Sequence, residues 1–468
     1  MSSSNPTLTT GRKLGYATGI FGDSLIYVCF YTYFMIFLTD VVGINPAFAG
    51  TISLISVCVD AVTDPIMGWL LDRPGINPKK FMLIGGIVES FCIAFVFFPV
   101  GGSDLGKAVF YILVTALMWV AYTCYAIPYY AVVPRLTKDY DEQTQLRGWA
   151  GAVNAVANYT GGVVPILLIT AIAGAGVEYV KSWWLAGCII GALALFFVLI
   201  NYFSIKDVEL IKIERKEGEE NESILKTYGS VLQSKPLWIL LAFIVVYTLS
   251  NVMLTSNQTY LLIYCAGSNA DALMTTTLFS QLCFLIVSPI VVKLSAKWDR
   301  KVALFICFII SIIGQIAMKF VGIDSLTDVY VLCIFGGIGL AGYWTLFYSF
   351  LYDIAELDKY KFGKDRTGSL TAIGNFFFKA ANAVGLQIFG IILAATGYDA
   401  TQEVQTESAR NAIESVSTSF FGIAMAICLV IMFFYPVTKT VYEKLQYANN
   451  KRLEDENYSD PELDKLIK

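Results

Sequence analysis

Asp60 and Asp64 stand four residues apart inside the apolar run Thr51–Leu71, TISLISVCVDAVTDPIMGWLL. On a helix this spacing puts both carboxylates on one face, with Cβ atoms about 5–6 Å apart. Two like charges that close, in surroundings this apolar, call for a cation or a proton. An acidic side chain at the centre of a membrane helix costs about 2.5–3.5 kcal/mol on insertion scales, so such a pair is kept where a pathway for an ion or a solute uses it. Thr123, in a later apolar run, adds a hydroxyl oxygen. Oxygen ligands from Asp60, Asp64 and Thr123 suit a hard cation such as Na⁺. A proton could ride on the same carboxylates without the hydroxyl.

Further ionisable groups fall at similar depth, counted at 1.5 Å of rise per residue. Asp23 lies in the first apolar run, Glu89 in the third and Lys379 in the eleventh. If all were ionised, Asp23, Asp60, Asp64 and Glu89 would face only Lys379 at this depth. Bound Na⁺ or protonation of some carboxylates would resolve the excess negative charge. The rival reading for Asp23 and Asp64 is a tilt toward an interface. Lys379 reads as a counter-charge in the opposite half of the chain. The sequence contains no histidine, so His-based metal sites, general bases and proton relays are excluded.

Aromatic residues accompany these groups: Tyr27, Tyr31, Tyr122, Tyr125, Tyr129 and Tyr130 early in the chain, and Tyr343, Trp344 and Tyr348 late in it. Aromatic faces with polar edges suit sugar rings, whose C–H faces stack while their hydroxyls hydrogen-bond. Tyr and Trp also form belts at membrane interfaces, so each residue alone has an ordinary explanation. Trp344, in a polar–aromatic segment well inside its run, is the leading candidate for solute contact.

The elements that must hold these residues follow from composition. Of 468 residues, 56% are hydrophobic and only 15% charged, with a mean hydropathy of +0.62. That is the balance of a polytopic membrane protein. About twelve apolar runs are long enough to cross a hydrocarbon core of roughly 30 Å, near 14–39, 47–71, 81–101, 107–133, 148–174, 182–204, 236–265, 268–296, 302–321, 328–352, 368–397 and 415–437. Lys and Arg gather in alternate loops, among them Arg73, Lys79, Lys80, Arg135, Lys297, Arg300 and Lys301, whereas the other side has little beyond Lys107, Lys181 and Arg410. The positive-inside rule then places both termini in the cytoplasm. The polar stretch Met1–Thr10 leads straight into a full-length span, which predicts that the first helix is its own targeting signal. The ten cysteines contain no CxxC pair, so neither a disulfide frame nor a zinc site is expected.

The polar segment Ser204–Lys235, with IKIERKEGEENES inside it, separates two sets of six spans. The expected organisation is an N-terminal six-helix half over 1–204, a cytoplasmic linker over 205–235, a C-terminal half over 236–437 and a tail over 438–468. The tail from Tyr442 to Lys468 reads as a short, frayed amphipathic end. A faint repeat supports two halves: Asp72-Arg73 with Lys79-Lys80 after the second span, and Asp299-Arg300-Lys301 after the eighth. An all-α membrane protein of two six-helix halves is the layout of the major facilitator fold, with its solute site at the midplane.

The segment Thr39–Arg73 resembles the second-helix signature of the glycoside–pentoside–hexuronide cation symporters, the melibiose permease family. So does Tyr360–Tyr398, with Arg366-Thr-Gly368, Asn375-Phe-Phe-Phe-Lys379 and Gly397-Tyr398. The resemblance implies that Asp60, Asp64 and Thr123 bind the coupling cation, that Lys379 lies nearby and that Trp344 touches the sugar. Two departures stand out: Ala126 where melibiose-type members have a fourth-helix aspartate, and Ser24 where they have a first-helix one, with Asp23 a residue earlier. A fifth-helix arginine of the sugar site has no clear match in Leu146–Asn154. The galactoside clamp is therefore not expected, and the solute stays open among a hexuronide, a pentoside, another glycoside and a non-sugar.

The sequence thus predicts a cation-coupled symporter of the cell membrane, driven by Na⁺ or H⁺, with a same-fold transporter of a non-sugar or lipid-like solute as the alternative. Cation binding is expected at Asp60, Asp64 and Thr123, and solute binding or coupling at Asp23, Tyr31, Glu89, Tyr122, Tyr130, Trp344, Asn375 and Lys379. The expected partners are a small solute, in first place a glycoside, and the lipid bilayer, with no cofactor, no nucleic acid and no obligate protein partner. An integral-membrane enzyme is disfavoured by the missing histidine, the lack of a nucleophile–base pair and the short loops.

Overall fold

The computed structural model describes residues 8–44, 46–211, 223–268, 272–398, 402, 404–455 and 458–467. Most of the charged linker IKIERKEGEENES, residues 212–222, and the start of the leading polar stretch, residues 1–7, lie outside the described residues. The described residues form helices and no strands. The chain divides into two compact units.

Unit 1 takes in Met1–Thr227 together with Arg366–Ala372. Its helices are α1 Thr10–Ile36, α2 Pro46–Leu71, α3 Pro78–Val96, α4 Asp104–Ala131, α5 Val133–Leu136, α6 Tyr140–Gly174 and α7 Tyr179–Ile205. A short helix, α8 Ile224–Val231, follows. Unit 2 takes in Tyr228–Asp365 and Ile373–Lys468. It holds α9 Lys235–Tyr260, α10 Ala272–Lys297, α11 Arg300–Val321, α12 Leu326–Phe362, most of α13 Thr367–Ala395, α14 Glu407–Ser415, α15 Phe421–Phe433, α16 Lys439–Glu454 and α17 Pro461–Ile467. The division falls close to the linker, with the first turns of α13 as the exception.

Among the described residues, ten helical segments are long and apolar enough to cross a membrane. α14 and α15 join through a π-helical turn, Val416–Phe420, into one of them, Glu407–Phe433. The expected spans outside that ten are α2 and α3. α2 has 26 residues, enough for about 39 Å of helix, and α3 carries Lys79, Lys80 and Glu89 over 19 residues.

Local chemistry fixes the helix ends. The Ser103 hydroxyl accepts from Gly106 N at the start of α4, and Asp139 accepts from Glu142 N at the start of α6. α12 opens on a reciprocal capping box between Ser325 and Asp328 and closes on Gly363, whose φ of 73° is left-handed. α1 and α9, the first long helix of each unit, both run into a π-helical turn, Phe37–Val41 and Leu261–Cys265.

Backbone-to-backbone approach centres unit 1 on α3. A Cβ on Gly191 of α7 would lie 2.2 Å from the Ser90 carbonyl oxygen, and one on Gly85 would lie 2.7 Å from the Ala121 carbonyl oxygen of α4. Glu89 is held at this tightly packed crossing.

The tail is not frayed, contrary to the expectation for Tyr442–Lys468. α16 and α17 fold against the end of α12, with Tyr442, Leu445 and Leu463 buried. Asn449 donates to the Glu356 carbonyl and carboxylate at 3.0 Å, the Arg452 guanidinium lies 3.8 Å from the Tyr360 ring centre, and the Tyr360 hydroxyl donates to Asp464 at 2.7 Å. The tail's apolar positions are too few to read as a core alone, and their burial depends on a surface supplied by α12.

Candidate functional site

Asp60 and Asp64 lie on one face of α2, and that face meets α4. Thr123 donates toward both carboxylates, with Oγ1 3.3 Å from Asp60 Oδ1 and 3.1 Å from Asp64 Oδ1. The Thr63 hydroxyl lies 2.9 Å from the Thr123 hydroxyl; when Thr63 is the donor of that bond, the Thr123 proton is left for a carboxylate. Asp60, Asp64 and Thr123 are 1–2% exposed, so protein and not lipid encloses them. Two carboxylates and a hydroxyl converge there as oxygen donors, the set that fits a hard monovalent cation.

Glu89 on α3 and Asp23 on α1 are also enclosed by unit 1, at 1% and 3% exposure. Glu89 is within electrostatic reach of both Asp23 and Asp60. The four acidic residues singled out from sequence therefore share one half of the chain. Lys379 is on α13 in unit 2, one turn beyond Asn375, so the two lie on one helical face.

The aromatic residues separate into two classes. Tyr27, Tyr31, Tyr122 and Trp119 form a cluster between α1 and α4, with Tyr27 and Tyr31 ring centres 4.6 Å apart, Trp119 and Tyr122 5.2 Å apart and Tyr31 and Trp119 5.6 Å apart. Tyr31 is half exposed, whereas Trp119 is buried with its indole Nε1 lacking a hydrogen-bond partner. Tyr125 and Tyr129 do not flank a cavity. Tyr129 stacks on Tyr16 at 4.5 Å and exchanges hydrogen bonds with it, while Tyr125 stacks on Tyr129 at 5.8 Å. Tyr343 is likewise core, stacked 3.8 Å from Tyr247 and hydrogen-bonded to Thr248. These three face neighbouring helices, which residue type alone does not reveal.

Tyr130 lies near the hydroxyls of Tyr27 and Tyr122, with the Arg147 guanidinium 4.9 Å from its ring centre. Arg147 is buried, although the sequence reads it as a cytoplasmic loop charge, because it falls just before the fifth apolar run at 148–174. In unit 2, Trp344 is only partly buried and meets the Tyr343 and Phe378 rings edge-on at 5.3 and 5.2 Å. Tyr348 donates to Asn375 Oδ1 at 2.8 Å, which orients that amide. Trp119 has no sequence signal beyond being a large side chain in an apolar run.

Known proteins share both the sequence and the fold. A family model described as MFS/sugar transport protein matches residues 15–439. The uncharacterized symporter YnaJ of Bacillus subtilis (strain 168) is 26% identical over 445 residues, covering 93% of this chain and 93% of that protein. The isoprimeverose transporter of Lactiplantibacillus pentosus is 23% identical over 465 residues, covering 96% and 93%. Among solved structures, the Escherichia coli fucose:proton symporter FucP is similar with a TM-score of 0.65 at 12% identity, over 91% of this chain and 97% of that one.

Proposed function

The chain belongs to the MFS/sugar transport protein family, and from that premise we propose that it is a cation-coupled symporter of a glycoside, with the coupling ion held by Asp60, Asp64 and Thr123. The protein is a multi-pass membrane transporter and not an enzyme. The observation that carries the proposal is the single hydroxyl of Thr123 lying within hydrogen-bond distance of both carboxylates.

The pair costs least when a positive charge sits between its oxygens, so cation occupancy and the conformation that presents the solute site are linked. Na⁺ uses all three oxygen donors, and H⁺ uses a carboxylate alone. The two halves then alternate access once both ligands are bound. Within unit 1 the Tyr27–Tyr31–Tyr122–Trp119 cluster offers aromatic faces of the kind that suit sugar C–H surfaces; within unit 2 Trp344 offers another, and Asn375 an oriented amide for a hydroxyl. The distribution of Lys and Arg supports cytoplasmic termini in the cell membrane.

A second reading, a non-sugar solute, is favoured by one observation. Ala126 is a buried small residue at a fourth-helix position where melibiose-type members place a carboxylate. Equilibrium binding on purified protein, with Na⁺ and pH varied across a panel of glycosides, tests the proposal. Thermodynamic reciprocity requires the solute to raise cation affinity by the factor by which the cation raises solute affinity. Independent binding of the two would overturn coupling through this site.

A further inference from the structure

Glu89 is an acidic side chain of unit 1 outside the Asp60–Asp64–Thr123 set. It lies on α3 where glycines let neighbouring helices close in: a Cβ on Gly86 would lie 2.5 Å from Val198 Cγ1 of α7 and 3.0 Å from Tyr125 Cδ2 of α4. Glu89 is 1% exposed, and its Oε1 is buried without a hydrogen-bond partner.

Among the described residues, the ionisable groups within electrostatic reach of Glu89 bring no positive charge. They are Asp23 on α1 and Asp60 on α2, the Tyr125 hydroxyl on α4 and the Cys92 thiol on α3 itself. α7 meets α3 through Val198 and Gly191 and adds no ionisable group to that set. Ionised, Glu89 would be a third negative charge beside Asp23 and Asp60, buried with no counter-charge. As the neutral acid it brings no charge and needs one hydrogen-bond acceptor. Among the described residues no three acidic or thiol groups converge to hold a metal ion, so the ligand that suits this carboxyl is a proton.

Buried polar atoms lead to it. The Tyr125 hydroxyl is buried and has no hydrogen-bond partner. Asn201 of α7 donates through Nδ2 to the Tyr16 carbonyl at 2.9 Å, while its Oδ1 is buried without a donor. The two groups converge on Gly19 of α1, where a Cβ would collide with Tyr125 Oη and lie 2.7 Å from Asn201 Cγ. Unused bonding capacity of this kind is costly inside a protein, and here it marks a seam from the last turns of α7 to the middle of α3. Thr123 and Tyr125 are two residues apart on α4, so they point to different sides of that helix. The seam therefore reaches Glu89 without crossing the cation site.

We propose that Glu89 is a proton-binding site separate from the cation site, and that a cation at Asp60, Asp64 and Thr123 drives the proton off it. The linkage rests on the cation reading above and adds a regulator to that site. A proton on Glu89 removes a negative neighbour of Asp60 and so weakens cation binding. By reciprocity the cation weakens proton binding by the same factor.

Infrared difference spectroscopy on purified full-length protein reads the carbonyl stretch of protonated carboxyl groups directly. At neutral pH, where exposed carboxylates are ionised, wild type is expected to show such a band and Glu89→Gln to lack it. Glu89→Asp keeps an acid on α3, so it retains the band at a shifted frequency and carries the test if Glu89→Gln does not fold. Saturating Na⁺ is expected to lower the pH at which the wild-type band disappears by about one unit, a tenfold linkage, and to have no such effect in Asp60→Asn.

No protonated-carboxyl band in wild type, or a band kept at the wild-type frequency in Glu89→Gln or Glu89→Asp, overturns the inference and leaves the cation site standing. A band on Glu89 that does not move with Na⁺ makes it a static buried acid and also overturns the inference. Solute binding that depends on neither Na⁺ nor pH overturns the symporter reading instead, and is measured separately on the same protein.

Discussion

Thr123 of α4 holds Asp64 of α2 at 3.1 Å through its hydroxyl, and the same oxygen reaches Asp60 at 3.3 Å. A single side chain thus ties two carboxylates, one helical turn apart, to the neighbouring helix. Any ion bound there is felt by both helices at once.

Asp60→Asn removes one negative charge and leaves the Asp64–Thr123 contact. Cation affinity, read from the cation dependence of solute binding, is expected to fall at least about tenfold, or about 1.4 kcal/mol. Unchanged cation dependence in this variant would remove the site from the mechanism.

Thr123→Val and Thr123→Ser separate Na⁺ from H⁺ coupling. The hydroxyl is a ligand only for a metal cation, so in a Na⁺-coupled protein Val weakens Na⁺ stimulation about tenfold while Ser retains it. If the proton is the coupling ion, solute-driven proton uptake survives in Thr123→Val. Dye-monitored uptake in proteoliposomes distinguishes the two.

Arg300 and Asp353 form an ion pair in unit 2 with both side chains fully buried. Arg300 also donates to the Ser349 carbonyl at 3.0 Å. Removing one partner leaves an uncompensated charge, so Asp353→Ala is expected to lower stability by about 3–5 kcal/mol. The double variant Arg300→Met with Asp353→Leu should recover much of that loss. Thermal unfolding of the purified protein measures both.

Asp72 accepts from Gly368 N at 2.7 Å and Ser369 N at 2.8 Å, which caps the first turn of α13 within unit 1. Asp72→Ala is expected to cost about 1–2 kcal/mol. Hydrogen exchange at residues 367–371 should accelerate more than in the rest of α13. Uniform protection along that helix would show that the cap does not hold it.

Asn449→Ala would leave the buried Glu356 carboxylate without the amide that ties it to the tail. A loss of about 1–3 kcal/mol is expected, with early proteolysis confined to α16 and α17. A tail that stays protease-resistant in this variant would mean its apolar contacts alone hold it.

The sequence by itself determined the membrane class, the run of apolar spans and the acidic pair, because each is a local property. Span length follows from runs of apolar residues, and the shared face of Asp60 and Asp64 follows from helical periodicity. It also offered Thr123 as an oxygen donor, although nothing in a chain of apolar residues says which hydroxyl of α4 turns toward α2. Only tertiary packing decided that Thr123 reaches both carboxylates, that Tyr125, Tyr129 and Tyr343 are core while Tyr31 is half exposed, and that Arg147 lies over Tyr130. The tail shows the same limit. Asn449 is buried where it meets Glu356 of α12, 93 residues away in the chain, and a surface supplied from that distance leaves no local pattern in the segment that docks on it. Direction in a helical bundle is set by which neighbour a face meets, and that is a property of the assembled helices, not of the periodicity within one.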